Sequence, residues 1–320
     1  MRYIVIFIHS VAVLCALLVL PINADDEKKI GIFLFSEETR YTLAEKGIMD
    51  KLKEEGYEAP RTRFIVENAE YNKATASDLV KKFLTSNMDI IFTIGTSATV
   101  PIVREIKGTP VIFAVIYDPV AAGIAKDWKN SGNNTTGASS MVPMSRILDR
   151  LKQLKSIKRL AVLYTPDEIN SVLVLKDLRQ LQSLYRIKVV PVPLSEKEEI
   201  SQILPEVIRT SDALYVTGSN LVDSQVSMIV NLATKAKVVT ITHLEDLVQK
   251  GVLMGVCADP YQIGRLAGEK AIKILRGQKP SSIPIETSKK YKIIVNMKTL
   301  RAGQFQITQD FLAGVTDKIE

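Results

Sequence analysis

The run Ile90-Ile91-Phe92-Thr93-Ile94, with the glycine turn after it, constrains the fold most. Five apolar or β-branched residues without alternation suit a strand buried on both faces, as in a parallel sheet. Gly95 permits a sharp turn at the strand's end, and Thr96, Ser97 and Thr99 lead into helical spacing from Val100 to Ile106. Thr96 or Ser97 is the natural N-cap of that helix. Its first turn carries N–H groups without intrahelical partners, and with the helix dipole these suit a small anion such as a carboxylate. The stretch alone leaves a plain helix cap and an anion site equally open. No Gly-Lys-Ser/Thr comes after it, which excludes a phosphate-binding P-loop.

The same strand–turn–helix grammar recurs along the chain. Strands are predicted at 29–35, 63–66, 89–94 and 110–116, with helices at 41–55, 74–85 and 100–106 between them. A polar, glycine-rich stretch from Lys129 to Gly137 interrupts the series, and the first passage between lobes is placed just after it. A second series comes next: helices at 144–154, 171–184, 196–208 and 224–234, with strands at 160–164, 187–192, 213–216 and 238–242. Such alternation argues for parallel sheets covered by helices on both faces. At 320 residues and 46% hydrophobic content the chain can fill two cores, and two similar α/β lobes imply a cleft between them.

Residues 1–24 stand apart. Met1-Arg2, the apolar stretch Tyr3 to Leu20, and Pro21 to Ala24 form the pattern of a secretory signal peptide cleaved after Ala24. The rival readings are an uncleaved anchor and a lipid on Cys15. Asp25-Asp26 and the lack of a second apolar span favour cleavage, and Leu14 is too large for an ordinary lipoprotein cleavage site. The mature chain then keeps 41 basic and 35 acidic residues, one histidine (His243) and one cysteine (Cys257). An internal disulfide is excluded, no cofactor is indicated, and any histidine–cysteine metal site would rest on one residue of each type. His243 ends a strand-like run, where a lone polar group is more often a satisfied second-layer residue than a catalytic base. Basic residues are spread over separate helical segments, and no recognition motif points to nucleic acid.

At specific motifs the chain resembles a family of exported ABC-transporter substrate-binding proteins, the one that includes tryptophan- and other aromatic-amino-acid-binding members. The motifs are Tyr117-Asp118-Pro119-Val120-Ala121-Ala122-Gly123, Gly132 to Gly137, Leu163 to Ser171, Leu214-Tyr215-Val216 leading to Asn220, Asp259 to Arg265, and Leu275 to Pro280. Their order spans Ile30 to about Gln309. The resemblance implies a type I periplasmic-binding-protein fold, with two doubly wound parallel-sheet lobes joined by three crossings near 137–142, 256–259 and 287–291. On that plan residues 25–137 with about 259–287 form one lobe, and 138–258 with about 288–320 the other. Two loops depart from the family pattern: Glu38-Thr39 stands where many members have His-Pro, and Thr217 to Asn220 where Pro-Thr-Asp-Asn is frequent.

The function expected is capture of a small carboxylate-bearing solute, an amino acid or relative, between the lobes of a monomeric exported protein that hands it to a membrane permease. Thr96 and Ser97 are the expected carboxylate site, Asp118 and Asp259 the candidates for an ammonium group, and Asn170 and Asn220 the donors and acceptors from the second lobe. Ser36 and Glu37 occupy the first β–α loop at the cleft edge. A sensor working with a separate kinase is the alternative, and an exported hydrolase or lyase a more distant one, since no nucleophile–base pair is evident.

Overall fold

The structure is a computed structural model that describes residues 27–320, so the expected signal segment lies outside the described residues. Two mostly parallel sheets organise the chain. The first contains β1 (Lys28–Leu34), β2 (Thr62–Asn68), β3 (Ile90–Ile94), β4 (Val111–Ile116), β5 (Thr135–Ser139) and the two-residue β11 (Glu286–Thr287), in the order β11-β5-β4-β3-β1-β2. The second contains β6 (Arg159–Tyr164), β7 (Lys188–Pro193), β8 (Ala213–Val216), β9 (Val239–Thr242), β10 (Met254–Ala258), β12 (Tyr291–Asn296) and β13 (Asp317–Ile319). Its order is β13-β12-β10-β9-β8-β6-β7, with β12 antiparallel to β10. The chain passes between the sheets at 140–143, at Asp259 and at 288–290.

The central strands are buried along their whole length because helices cover both faces: every residue of β3, β4 and β10 is buried. In the first lobe, α1 (Thr39–Glu54) packs against α10 (Pro260–Leu275), which returns from the second lobe's last parallel strand. Glycines set how closely they approach. A Cβ at Gly264 would collide with the carbonyl of Ala44, and one at Gly47 with the carbonyl of Tyr261. The opposite face of this sheet is covered by α2 (Lys73–Thr85) and α3 (Thr96–Glu105), which enclose Phe33, Phe83 and Phe113. In the second lobe, α4 (Met144–Leu154) and α5 (Ile169–Tyr185) lie over one face of the sheet, and α6 (Lys197–Arg209) and α8 (Val226–Lys235) over the other.

Most sequence boundaries differ from the structure by one or two residues, but three differ for a physical reason. The helix after β3 begins at Thr96 rather than Val100, so its N-cap is Gly95, and Thr96 and Ser97 are already helical. Gly95 has φ +86°, and a Cβ there would lie 2.7 Å from the Tyr41 ring, so glycine serves both the turn and the close approach. Thr135–Ser139 is a buried strand despite its polar composition. Asn133 and Asn134 bond the backbone of the neighbouring loops, Thr136 bonds the Ile283 carbonyl, and Ser139 the Tyr117 carbonyl, so these side chains find their partners inside the lobe. Finally, the helix expected at 224–234 is α8, but an unexpected short helix, α7 (Asn220–Ser224), precedes it because Ser219 Oγ accepts the Val222 N–H and caps it, and α9 (Glu245–Gln249) follows β9.

Candidate functional site

The carboxyl ends of β1, β3 and β4 in the first sheet face those of β6, β8 and β9 in the second, and their loops line the cleft. On the hinge side lies a small inner cavity of about 30 Å³. Arg40, Tyr41, Thr96 and Tyr117 wall it from the first lobe, Asn170 and His243 from the second, with Ser140 on the crossing. Away from the hinge the cleft widens into an outer groove of about 1140 Å³. Phe35, Tyr71, Val80 and Pro101 give it an apolar wall, and Ser97, Thr165, Glu168 and Asn220 line it as well.

The α3 terminus supplies the clearest donors. Its first intrahelical bond runs from Thr99 N–H to the Gly95 carbonyl (3.1 Å), so the N–H groups of 96–98 lie ahead of it. Thr99 Oγ1 also bonds Thr93 Oγ1 (2.9 Å) and the Gly95 carbonyl (2.8 Å), fixing the turn. Across the cleft, Asn220 Nδ2 donates to Ser97 Oγ (3.4 Å) and to Glu168 (2.9 Å). Glu168 also accepts the Asn220 backbone N–H (2.9 Å). Burial pushes its carboxyl above the usual carboxylate range, against the backbone donors that favour the charged form.

An ion cluster joins the lobes beside the inner cavity. Arg40 Nη1 donates to Asp223 (2.8 Å) and Asp246 (2.6 Å), both from the second lobe, and Lys250 pairs with Asp223 (2.5 Å). Arg40 is 3% exposed, so water does not screen these bonds strongly. Glu38, the N-cap residue of α1, lies 3.5 Å from Arg40 Nη2. Tyr117 reaches across to Asp177 (2.7 Å). The Val115 backbone has φ +58°, an outlier for a β-branched residue, where the β4–β5 register shifts; Val115 lines the cavity.

His243 is buried against Tyr215, whose hydroxyl lies 2.8 Å from Nδ1, and Tyr117, whose ring meets it edge-on at 5.4 Å. Burial first, and the Arg40 charge second, push its pKa down to about 3, so it is neutral at physiological pH and hydrogen-bonds the Tyr215 hydroxyl through Nδ1. Among the described residues there is no group of three or more His, Cys, Asp or Glu side chains placed to hold a metal, and no helix long and apolar enough to cross a membrane.

The structure separates the eight residues singled out from sequence. Thr96 and Asn170 line the inner cavity, and Ser97 and Asn220 the outer groove. Asn170 Nδ2 is held by the Gly218 carbonyl (3.0 Å). Ser36 is buried and donates to Glu38, while Glu37 is exposed. Asp118 accepts the N–H groups of Val120 and Ala121 (both 3.0 Å) within its own turn. Asp259 caps α10 through the Gln262 N–H (3.2 Å) and pairs with Lys292 (3.1 Å). Neither aspartate lines the inner cavity or the outer groove. Sequence reasoning passed over Arg40, Tyr41 and Glu168. The one available signal was an Arg in the first turn of the helix after β1 and a Glu at the N-cap of the helix after β6, both at the sheet edge.

Two similar α/β lobes, three crossings and a cleft at their carboxyl edges define a two-lobed solute receptor of the periplasmic-binding-protein type. The chain belongs to the ABC transporter substrate binding protein family, whose model matches residues 29–318. It is 29% identical over 286 residues, 89% of this chain and 83% of the relative, to a tyrosine-binding protein of Clostridioides difficile (strain R20291). Among solved structures it resembles a Streptococcus pneumonia domain in complex with L-Trp (26% identity, TM-score 0.87, 92% of this chain and 100% of that one). It also resembles a ligand-free, open substrate-binding protein with adhesive properties from Clostridium difficile (28% identity, TM-score 0.73, 92% and 100% coverage). The family and these relatives are solute-binding proteins rather than enzymes.

Proposed function

We propose that the protein is the exported receptor of an ABC importer and closes its lobes on an aromatic α-amino acid or a close relative, which it passes unchanged to a membrane permease. The observation that carries this reading is the bridge Ser97–Asn220–Glu168, which sets an anion-binding helix terminus on one lobe opposite a carboxylate on the other. A zwitterion matches both. Its carboxylate takes the N–H groups of the α3 terminus with Thr96 and Ser97, and its ammonium takes Glu168. Phe35, Tyr71 and the rings of the inner cavity leave an aromatic setting for the side chain. The relatives that bind tyrosine and L-Trp support this choice. At nearly equal identity the chain superposes better on the L-Trp complex than on the ligand-free open structure, as a closed arrangement would.

Titration of the ligand-freed protein with L-tryptophan, L-tyrosine, their methyl esters and their N-acetyl derivatives tests the two ends separately. Blocking either end is expected to weaken binding strongly, and Glu168→Gln should erase the penalty of the N-acetyl group alone. Because burial raises the Glu168 carboxyl, affinity should fall as pH drops through that raised value and Glu168 is protonated. Esters that bind as well as free acids would overturn the carboxylate assignment.

A further inference from the structure

Basic residues that lie far apart in the sequence converge at a groove on the second lobe, beside the hinge. Its volume is about 290 Å³, and none of its lining residues belongs to the inner cavity or the outer groove. Arg146 and Arg150, one turn apart on α4, line one side. Lys289 enters from the third crossing, and Tyr291 and Ile293 line the groove from β12. We propose that this groove is a binding site for a phosphate group, carried as inorganic phosphate or as a phosphate monoester and separate from the solute cleft. The proposal does not depend on the amino-acid reading above.

Charge and side-chain placement both point to an anion. The groove holds three cations and one carboxylate, Asp149, so two positive charges remain in excess. Asp149 shares the α4 face with both arginines, yet it accepts from the Tyr185 hydroxyl (2.7 Å) and pairs with neither of them. Glu286, close enough to Lys289 to feel its charge, is paired with Lys270 (2.7 Å). Among the described residues Arg146, Arg150 and Lys289 therefore have no carboxylate partner. The arginines are held in place all the same. Arg146 Cζ lies 5.4 Å from the centre of the Tyr291 ring, a cation–π contact that holds the guanidinium by its face and leaves its N–H edge available. Arg150 donates from Nη2 to the Gly314 carbonyl (3.2 Å) and from Nη1 to Gln153 Oε1 (2.8 Å), which uses only part of its donor set. A Cβ at Gly314 would lie 2.3 Å from Arg150 Nη2, so glycine there gives the guanidinium its room. A monocarboxylate brings one charge and two oxygens in one plane. A phosphate monoester brings close to two charges and three acceptor oxygens, which suits two guanidinium groups and an ammonium reaching it from different elements. The groove is close to the lower end of small-molecule pockets, about 300 Å³, and leaves space for the group esterified to the phosphate.

Calorimetric titration of the purified protein with inorganic phosphate and with glycerol phosphate tests the site for soluble ligands. Flotation with vesicles of phosphatidic acid in phosphatidylcholine, against phosphatidylcholine alone, tests it for a lipid head group. Saturable binding of one phosphate group per chain is expected. Binding of the soluble phosphates would identify a free ligand, and binding confined to the phosphatidic acid vesicles a membrane one. In either case Arg146→Gln and Lys289→Gln should each weaken binding about 10-fold, the loss of one hydrogen bond to a charged group. Both side chains are exposed, so neither substitution endangers the fold. Lys152→Gln removes an exposed charge from the same helix but outside the groove, and should leave binding unchanged. Failure of the wild type to bind any of these probes would overturn the proposal. So would binding that survives both groove substitutions, or a loss from Lys152→Gln as large as theirs, which would reduce the effect to net charge.

Discussion

His243 shows how a single residue is committed by its surroundings. Its neutral form hydrogen-bonds the Tyr215 hydroxyl, and protonation between the lobes would put a second positive charge beside Arg40. Its folded pKa of about 3 lies below the unfolded value near 6.5. The stability this contributes is therefore complete above pH 6.5 and is lost as pH falls toward 3, because only the unfolded chain takes up the proton. Urea unfolding should show the native state weakened by about 2 kcal/mol between pH 7 and pH 5 through this residue. In His243→Asn the difference between the two pH values should shrink by that amount. Asp259 is committed differently. With its carboxylate on the Gln262 N–H and Lys292, Asp259→Ala should lower stability by about 1 kcal/mol and leave affinity for L-tryptophan unchanged. A loss of roughly 2–5 kcal/mol in binding would instead place it on the ligand.

At the scale of elements, the contact of α1 with α10 holds the first lobe together across a long stretch of chain. Gly47 and Gly264 let the two backbones touch, so Gly264→Leu should separate the helices and destabilise the fold by several kcal/mol, about the upper end for overpacking. Chemical denaturation would measure this, and a near-neutral result would mean the helices can move apart freely. The alternation of apolar runs and helical spacing made these elements legible in the sequence, because buried parallel strands and amphipathic helices impose different periods. The features that were not legible arose from long-range pairing. The polar strand Thr135–Ser139 owes its place to side chains that bond loops far away in sequence, such as Thr136 to Ile283. Likewise the hydroxyl residues after Gly95 marked a helix terminus, but nothing local to Arg40 or Glu168 signals a partner 183 residues away, such as Asp223, or 52 away, such as Asn220. Asp118 and Asp259 illustrate the converse, since residues conspicuous in a loop can be held by the loop itself.

At the scale of the molecule, the bonds that cross the cleft define what closure means here. Arg40 to Asp223 and Asp246, Tyr117 to Asp177, and Asn220 to Ser97 all join one lobe to the other, so any opening of the cleft has to break them. On the proposed function, a solute held by both lobes favours the state in which these bonds exist, which couples binding to closure. Small-angle X-ray scattering should show the radius of gyration decrease on adding saturating L-tryptophan. Arg40→Met should enlarge the ligand-free protein by loosening the closed state; no change in either comparison would separate binding from closure. The proposed function is capture of a zwitterionic aromatic amino acid between the two lobes without altering it. Its most direct test is a calorimetric titration of the ligand-freed protein with L-amino acids and uncharged sugars, followed by mass spectrometry of the recovered ligand. The expected result is one molecule of an aromatic amino acid bound per chain and released chemically unchanged. Tight binding of an uncharged sugar with no response to any amino acid would overturn amino-acid capture as this protein's function.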